Sequence, residues 1–244
     1  MTPRLKAFAI HLVISTLIAL AVIGLVFFIW YPAPLHTAVG VTQIFLILLA
    51  VDVVLGPLLT LLVYKVGKKN LVMDLTVIAL LQLSALGYGV WTVAEGRPAW
   101  LVFSIDRFEL VRINDIDERK LDEAATEYRK PSWFGPKWVA GVSPTNIEEK
   151  NELIFEAIAG GPDVAQRPNL YQPLLSQSQA VRQKALPISE LNTFNSEERV
   201  HQLLTSYHSA NGWLPFSPNA QDMVVLVNKD TAEIISIVNL RPWH

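Results

Sequence analysis

From Ala7 to Tyr64 the chain runs for 58 residues with one formal charge, Asp52. A water-soluble domain needs charge on its outer faces at helical or strand spacing, whereas a bilayer accepts about 20 apolar residues per helical crossing. Charge divides the rest of the chain in the same way. Residues 1–94 hold five basic and two acidic side chains, a net of +3, and the remaining 150 residues hold 15 basic and 20 acidic ones, a net of −5. The sequence therefore reads as two materials joined near residue 95, which excludes a soluble cytosolic enzyme. The chain has no cysteine, so a disulfide scaffold and a Cys-ligated zinc site are excluded as well. A mildly acidic polar half gives no electrostatic case for nucleic acid.

Three stretches are long and apolar enough to span: roughly Ala7–Trp30, Ala38–Tyr64 and Leu71–Ala94. The first follows Arg4 and Lys6 as a signal peptide would, but its apolar run exceeds the usual core of about 7–15 residues and no small-x-small site follows it. It reads as an uncleaved anchor. Arg4 and Lys6 precede the first span, Lys65, Lys68 and Lys69 fill the turn between the second and third, and the loop Tyr31–Thr37 has no Lys or Arg. The positive-inside rule then places the N-terminus and the lysine turn in the cytoplasm, and three crossings carry the polar half outside it. Trp30, Tyr31 and Trp91 are expected at the outer interface and Tyr64 at the inner one. Too little chain remains in the cytoplasm for a kinase, ATPase or DNA-binding module.

Polar residues within the spans are the candidate functional positions. Asp52 lies mid-span, where a carboxylate costs at least about 2.5 kcal/mol to insert. Gln82 falls at similar depth in an antiparallel hairpin, so the two side chains are expected within hydrogen-bonding reach. One reading of Asp52 is a hairpin lock with Gln82; the other is a recognition point for a further membrane helix. Asp74, one turn into the third span, is expected to face the lysine turn. Gly56-Pro57 interrupts the second span, and a neighbouring helix is expected to satisfy the freed carbonyl. Small-polar stripes at His11, Ser15 and Ala19 and at Ala85 and Gly89 suit close helix packing within the bundle.

The boundary is set at 1–95 for the three-helix transmembrane region and 96–244 for a periplasmic α+β domain. Glu95-Gly96-Arg97-Pro98 is too short for a free linker. Strands are expected at Ala99–Ile105, Arg107–Ile113 and Lys137–Val142. Helices are expected at Ile116–Arg129, Thr145–Ala159, near Leu174–Lys184 and at Ser196–Ser209. A C-terminal hairpin pairs Met223–Val227 with Glu233–Asn239 around a polar turn. The expected fold is a membrane protein with three transmembrane α-helices followed by an extracytoplasmic α+β domain. Its antiparallel sheet has four or five strands, with helices on one face.

No nucleophile elbow, H-E-x-x-H, Walker or Rossmann pattern occurs in the sequence. His201 and His208 stand seven apart without a third ligand, and the paired acids fall at helix starts and solvated faces. No catalytic residue, metal or cofactor is assigned.

A family resemblance is carried by Tyr31-Pro32-x-Pro34-Leu35, Val51-Asp52-Val53-Val54-Leu55-Gly56-Pro57-Leu58-Leu59-Thr60, Lys68-Lys69-x-Leu71, Asp74-Leu75, and Gln82 followed by Leu86-x-Tyr88-Gly89. It continues through Arg97-Pro98, Phe103 with Asp106-Arg107-Phe108, Arg167-Pro168-x-Leu170-Tyr171 and Leu240-Arg241-Pro242-Trp243. Over nearly its whole length the chain resembles the type IV pilin accessory proteins of the TfpX/TfpZ (FimB-like) family. The resemblance implies a multi-pass protein of the bacterial inner membrane that supports the stability or assembly of a cognate type IV pilin in a chaperone-like way. A pilin offers such a partner a membrane helix and a periplasmic head, and contact by helix, head or both is left open. It implies no enzyme activity. Asp52, Asp74, Gln82, Gly56 and Pro57 are the candidate residues for recognising pilin or another helix. The alternative is an extracytoplasmic sensor or regulator acting through a membrane partner.

Overall fold

The computed structural model describes residues 1–244 as two compact units, Met1–Pro32 with Val41–Gly96, and Ala33–Gly40 with Arg97–His244. The first unit is helical. α1 (Pro3–Gly24) starts at Thr2, whose hydroxyl accepts from the Leu5 amide, with Pro3 at the first position, where a missing N–H costs nothing. It continues as a π-turn over Leu25–Trp30, closed by the Tyr31 amide on the Val26 carbonyl. The short α2 (Leu35–Val39) ends at Gly40, whose φ of +79° is a left-handed cap that a side chain would strain. The second span therefore starts only at Val41, three residues later than the apolar run suggests, and forms α3 (Val41–Val63). The turn carrying Lys65, Lys68 and Lys69 leads to α4 (Leu71–Glu95). The three crossings, Pro3–Trp30, Val41–Val63 and Leu71–Glu95, are each long and apolar enough for a bilayer.

Trp30 and Tyr31, at the end of the first crossing, turn their rings into the protein. Both rings are buried, and the Tyr31 hydroxyl donates to the Val93 carbonyl at 2.8 Å, tying the end of α1 to the end of α4. Trp91 is exposed as expected, and Tyr88 with it.

The second unit is built on one eight-stranded sheet. Its strands are β1 (Pro98–Ser104), β2 (Arg107–Arg112), β3 (Lys137–Gly141), β4 (Tyr171–Pro173), β5 (Leu186–Pro187), β6 (Gly212–Ser217), β7 (Met223–Asn228) and β8 (Glu233–Val238). They lie in the order β4-β3-β1-β2-β6-β7-β8, with β5 added to β6. Helices α5 (Ile147–Ile158), α6 (Ser178–Lys184) and α7 (Glu197–Leu204) complete an α+β domain. The sheet is mixed rather than antiparallel, because β1 runs parallel to β3 and β2 to β6. It is also covered on both faces, not one. Leu101 and Phe103 of β1 join one apolar cluster while Trp100 and Val102 join another, and β7 splits the same way between Val225 and Val224. The signal was present in the uninterrupted apolar runs of these strands, which a half-solvated strand would not carry.

Two local expectations fail for tertiary reasons. Residues 116–129 form successive turns instead of a helix. The Asp117 amide bonds the Gln166 carbonyl at one end, while Ala124 and Tyr128 are drawn into the Trp100 cluster at the other. Helix α7 stops at Leu204 rather than Ser209, because Tyr207 packs with Leu191 and Trp213 before the chain enters β6. The C-terminal hairpin forms as expected, its turn held by Asn228 Oδ1 accepting from the Asp230 and Thr231 amides.

The segment Ala33–Gly40, which joins α1 to α3, belongs to the sheet domain. Leu35 and Ala38 are 3% and 0% exposed and pack in one cluster with Leu101, Phe103, Phe108 and Met223. The Ala38 carbonyl accepts from the Ala220 and Gln221 amides, each at 3.1 Å. The chain thus passes between the units three times, before Ala33, after Gly40 and after Gly96.

Candidate functional site

Within the helical unit α3 packs on both α1 and α4. The spacing of side chains explains the pairing. His11, Ser15 and Ala19 recur every fourth residue on α1, Asp52, Gly56 and Thr60 on α3, and Asp74, Ile78, Gln82 and Leu86 on α4. Ser15, Ala19, Gly56, Thr60, Ile78 and Leu86 are buried. His11 Nδ1 meets Thr60 Oγ1 at 2.6 Å, fastening α1 to α3, and the Arg4 guanidinium caps the Leu61 carbonyl. Thr60 was not singled out from the sequence, although its spacing from Asp52 and Gly56 was the signal that places it on this face.

Gln82 fastens α4 to α3. Its amide Nε2 donates to the backbone carbonyl of Asp52 at 2.9 Å, a partner the spacing did not name, and its side chain also hydrogen-bonds the Asp52 carboxyl as expected. Gly56 makes this approach possible, since a Cβ there would overlap the Gln82 amide. Pro57 is buried beside it and removes the N–H that would otherwise bond the Val53 carbonyl; the donated bond falls on the carbonyl one residue earlier. Gly89 likewise gives room to Leu48, so the small-residue stripes serve packing inside the bundle. Gln82→Leu is expected to loosen α4 from α3 by about 0.6–2 kcal/mol, the range for interhelical hydrogen bonds in bilayers. Thermal unfolding of the helical unit in mild detergent measures it.

Asp74 faces the lysine turn as expected, with Lys68 Nζ 2.6 Å from its Oδ2. It shares a face of α4 with Gln82 but lies two turns away, so the structure brings together Asp52, Gln82, Gly56 and Pro57 and leaves Asp74 at the helix start.

Where α1 and α4 diverge over α3 they leave a cleft of about 190 Å³. Ile14, Ile18 and Leu83 are among its apolar walls, and His11, Ser15, Asp52 and Gln82 are its polar lining. Gln82 Oε1 is buried with no donor bonded to it. A polar atom in that state inside an apolar span is a standing cost.

In the sheet domain the charged groups are organised around Arg167, which is almost fully buried. It bonds Glu156 of α5 and the Pro162 carbonyl and lies 3.8 Å from Asp117, while Arg119 clamps Asp117 and Glu156 from the solvent side. The Arg119 bond, assisted by Arg167, holds the Asp117 and Glu156 carboxyls below the usual carboxylate range. The network staples α5 to the irregular segment that follows β2.

Comparison with known proteins fits this architecture. The family described as fimbrial assembly protein FimB matches residues 1–40. The fimbrial assembly protein of Dichelobacter nodosus serogroup E1 is 34% identical over 187 residues, 76% of this chain and 72% of the relative. That of serogroup I is 33% identical over the same length and shares. The chain belongs to the FimB fimbrial assembly family. No solved structure is similar to it. The region matched by the FimB family takes in α1, the π-turn and the segment carrying Leu35 and Ala38 into the sheet domain. The FimB resemblance therefore covers both an anchor helix and a piece of the second unit's core.

Proposed function

We propose that this protein serves the assembly of type IV fimbriae by holding a cognate pilin subunit in the bacterial inner membrane before it joins the fibre. The observation that carries the reading is the cleft between α1 and α4, with Asp52 in its lining and the buried, donorless Gln82 oxygen beside it. Lipid tails bring no donor, whereas a transmembrane helix with one polar side chain does. Each interhelical bond of this kind is worth about 0.6 kcal/mol and at most about 1.7. Such weak bonds suit a subunit that must be handed on. Gly56 and Pro57 set the position of Gln82 and shape the cleft indirectly. Asp74 stands at the cytoplasmic end of the same helix face, where it meets the amino end of the incoming pilin by exchanging its Lys68 partner. The lysine turn lies in the cytoplasm on this reading and the sheet domain in the periplasm, level with the pilin head. The protein acts by binding and performs no chemical step.

In-cell photocrosslinking tests it. A crosslinker replacing Leu83 on the cleft wall is expected to capture pilin, and one replacing Ile47, on a lipid-facing part of α3, is not. Asp52→Asn keeps hydrogen-bonding capacity and should retain capture, whereas Asp52→Leu should weaken it by up to about 20-fold, the factor equivalent to one strong membrane hydrogen bond. Capture from neither position sinks the proposal.

A further inference from the structure

Between Tyr128 and Ile147 the chain carries three basic residues, Arg129, Lys130 and Lys137, and no acid, inside a domain that is net negative. At the centre of that stretch the turn 131–136 presents Trp133 at 60% exposure and Phe134 at 86%, the most exposed aromatic ring of the chain. The Phe134 amide is satisfied by Ser132 Oγ, and its ring buries little against the domain. The turn is nevertheless fixed in place, because the Arg97 guanidinium carbon lies 4.1 Å from the Trp133 ring centroid.

Arg97 is the anchor that gives this turn a meaning. It stands two residues after Glu95, the last residue of α4, so the covalent chain holds it within about 7 Å of that helix end. Helix α4 has 25 residues, about 37 Å at 1.5 Å per residue, against a hydrocarbon core of about 30 Å and a whole bilayer of about 40–45 Å. Its end therefore reaches the headgroups, and exposed Tyr88 and Trp91 mark the interface just below. The covalent chain and one ring contact thus limit how far Trp133 lies from the end of α4.

We propose that the turn 131–136 is a membrane-docking loop, with Trp133 and Phe134 seated among the headgroups of anionic phospholipid and Lys130 and Lys137 on their phosphates. Aromatic rings prefer that depth, and each basic residue close to an anionic surface adds favourable energy. The loop gives the sheet domain a lipid contact of its own, beside the three chain connections to the helical unit.

The absence of native cysteine makes the test direct. Phe134→Cys and, as control, Leu175→Cys (81% exposed in the wild type) are nitroxide-labelled in the full chain. Both are placed in nanodiscs of phosphatidylethanolamine and phosphatidylglycerol, the apolar label at 134 standing in for the ring. Collision with oxygen relative to a water-soluble nickel chelate should be several-fold higher at 134 than at 175. The contrast should shrink when Lys130→Glu and Lys137→Glu are added, or when phosphatidylcholine replaces the anionic lipid. Equal ratios at the two positions would overturn the proposal. Protection of position 134 that arises only when pilin is added would overturn it too, and would make the loop a protein contact.

Discussion

Leu35→Ala is expected to cost the sheet domain about 2–5 kcal/mol, although Leu35 lies in a loop between two membrane helices. The side chain is 3% exposed and packs with Phe103, Phe108 and Met223, so its removal opens a hole in the main core. Rigid strands line that hole and cannot collapse into it. The neighbouring Ala38 carbonyl holds two amides of the β6–β7 connection, which ties any loosening of the segment to that loop. For a domain of this size the loss corresponds to a fall in unfolding midpoint of roughly 4–20 °C. Near-ultraviolet circular dichroism of the full chain in detergent reads it, with exposed Leu175→Ala as a control expected to change nothing. A midpoint within a degree of wild type would mean that the segment lies on the domain without helping to hold it together. The same argument makes residues 97–244 alone less stable than the domain within the whole chain.

The second large effect is a pH dependence of unusual sign. Glu109 sits on β2 between β1 and β6, and its carboxyl is pushed up to about 7. Burial is the main cause, the nearby Asp163 and Asp106 add to it, and Arg107 opposes it. The folded chain therefore binds a proton at Glu109 between about pH 4.5 and 7 that the unfolded chain has released. Stability from this group is fully present below the unfolded value and is lost as pH rises through 7. The shift amounts to about 3 kcal/mol. Asp117 and Glu156, held low by Arg119 and Arg167, act in the opposite direction, but only at pH values below the ordinary carboxylate range. Urea unfolding should thus show the domain more stable at pH 5 than at pH 8. Glu109→Gln should remove most of that difference by raising the stability at pH 8. A wild-type domain more stable at pH 8 would show that Glu109 is ionised in the fold.

The sequence by itself determined the membrane half almost completely. A helix buried in lipid must satisfy every backbone group internally, so its location follows from a local run of apolar residues and needs no knowledge of its neighbours. The same locality made Asp74 on Lys68, the strands β1, β2 and β3, and the C-terminal hairpin legible, since each is decided within a few residues. Tertiary structure decided what depends on partners far along the chain. Residues 116–129 have the composition of a charged helix, but Asp117 answers to Arg167 and the Gln166 carbonyl. Those partners hold the segment in a course that a continuous helix would not follow. Gln82 finds a main-chain carbonyl because Gly56 leaves room for it, a fact of contact that spacing alone does not express. The clearest case is residues 33–40. Their composition is that of an ordinary loop, and no local pattern distinguishes a loop lying in solvent from one whose Leu35 and Ala38 complete a core assembled from strands roughly 60 to 200 residues later. Hydrophobic burial has no direction and no memory of sequence distance, so only the folded chain reveals which apolar side chains it has gathered together.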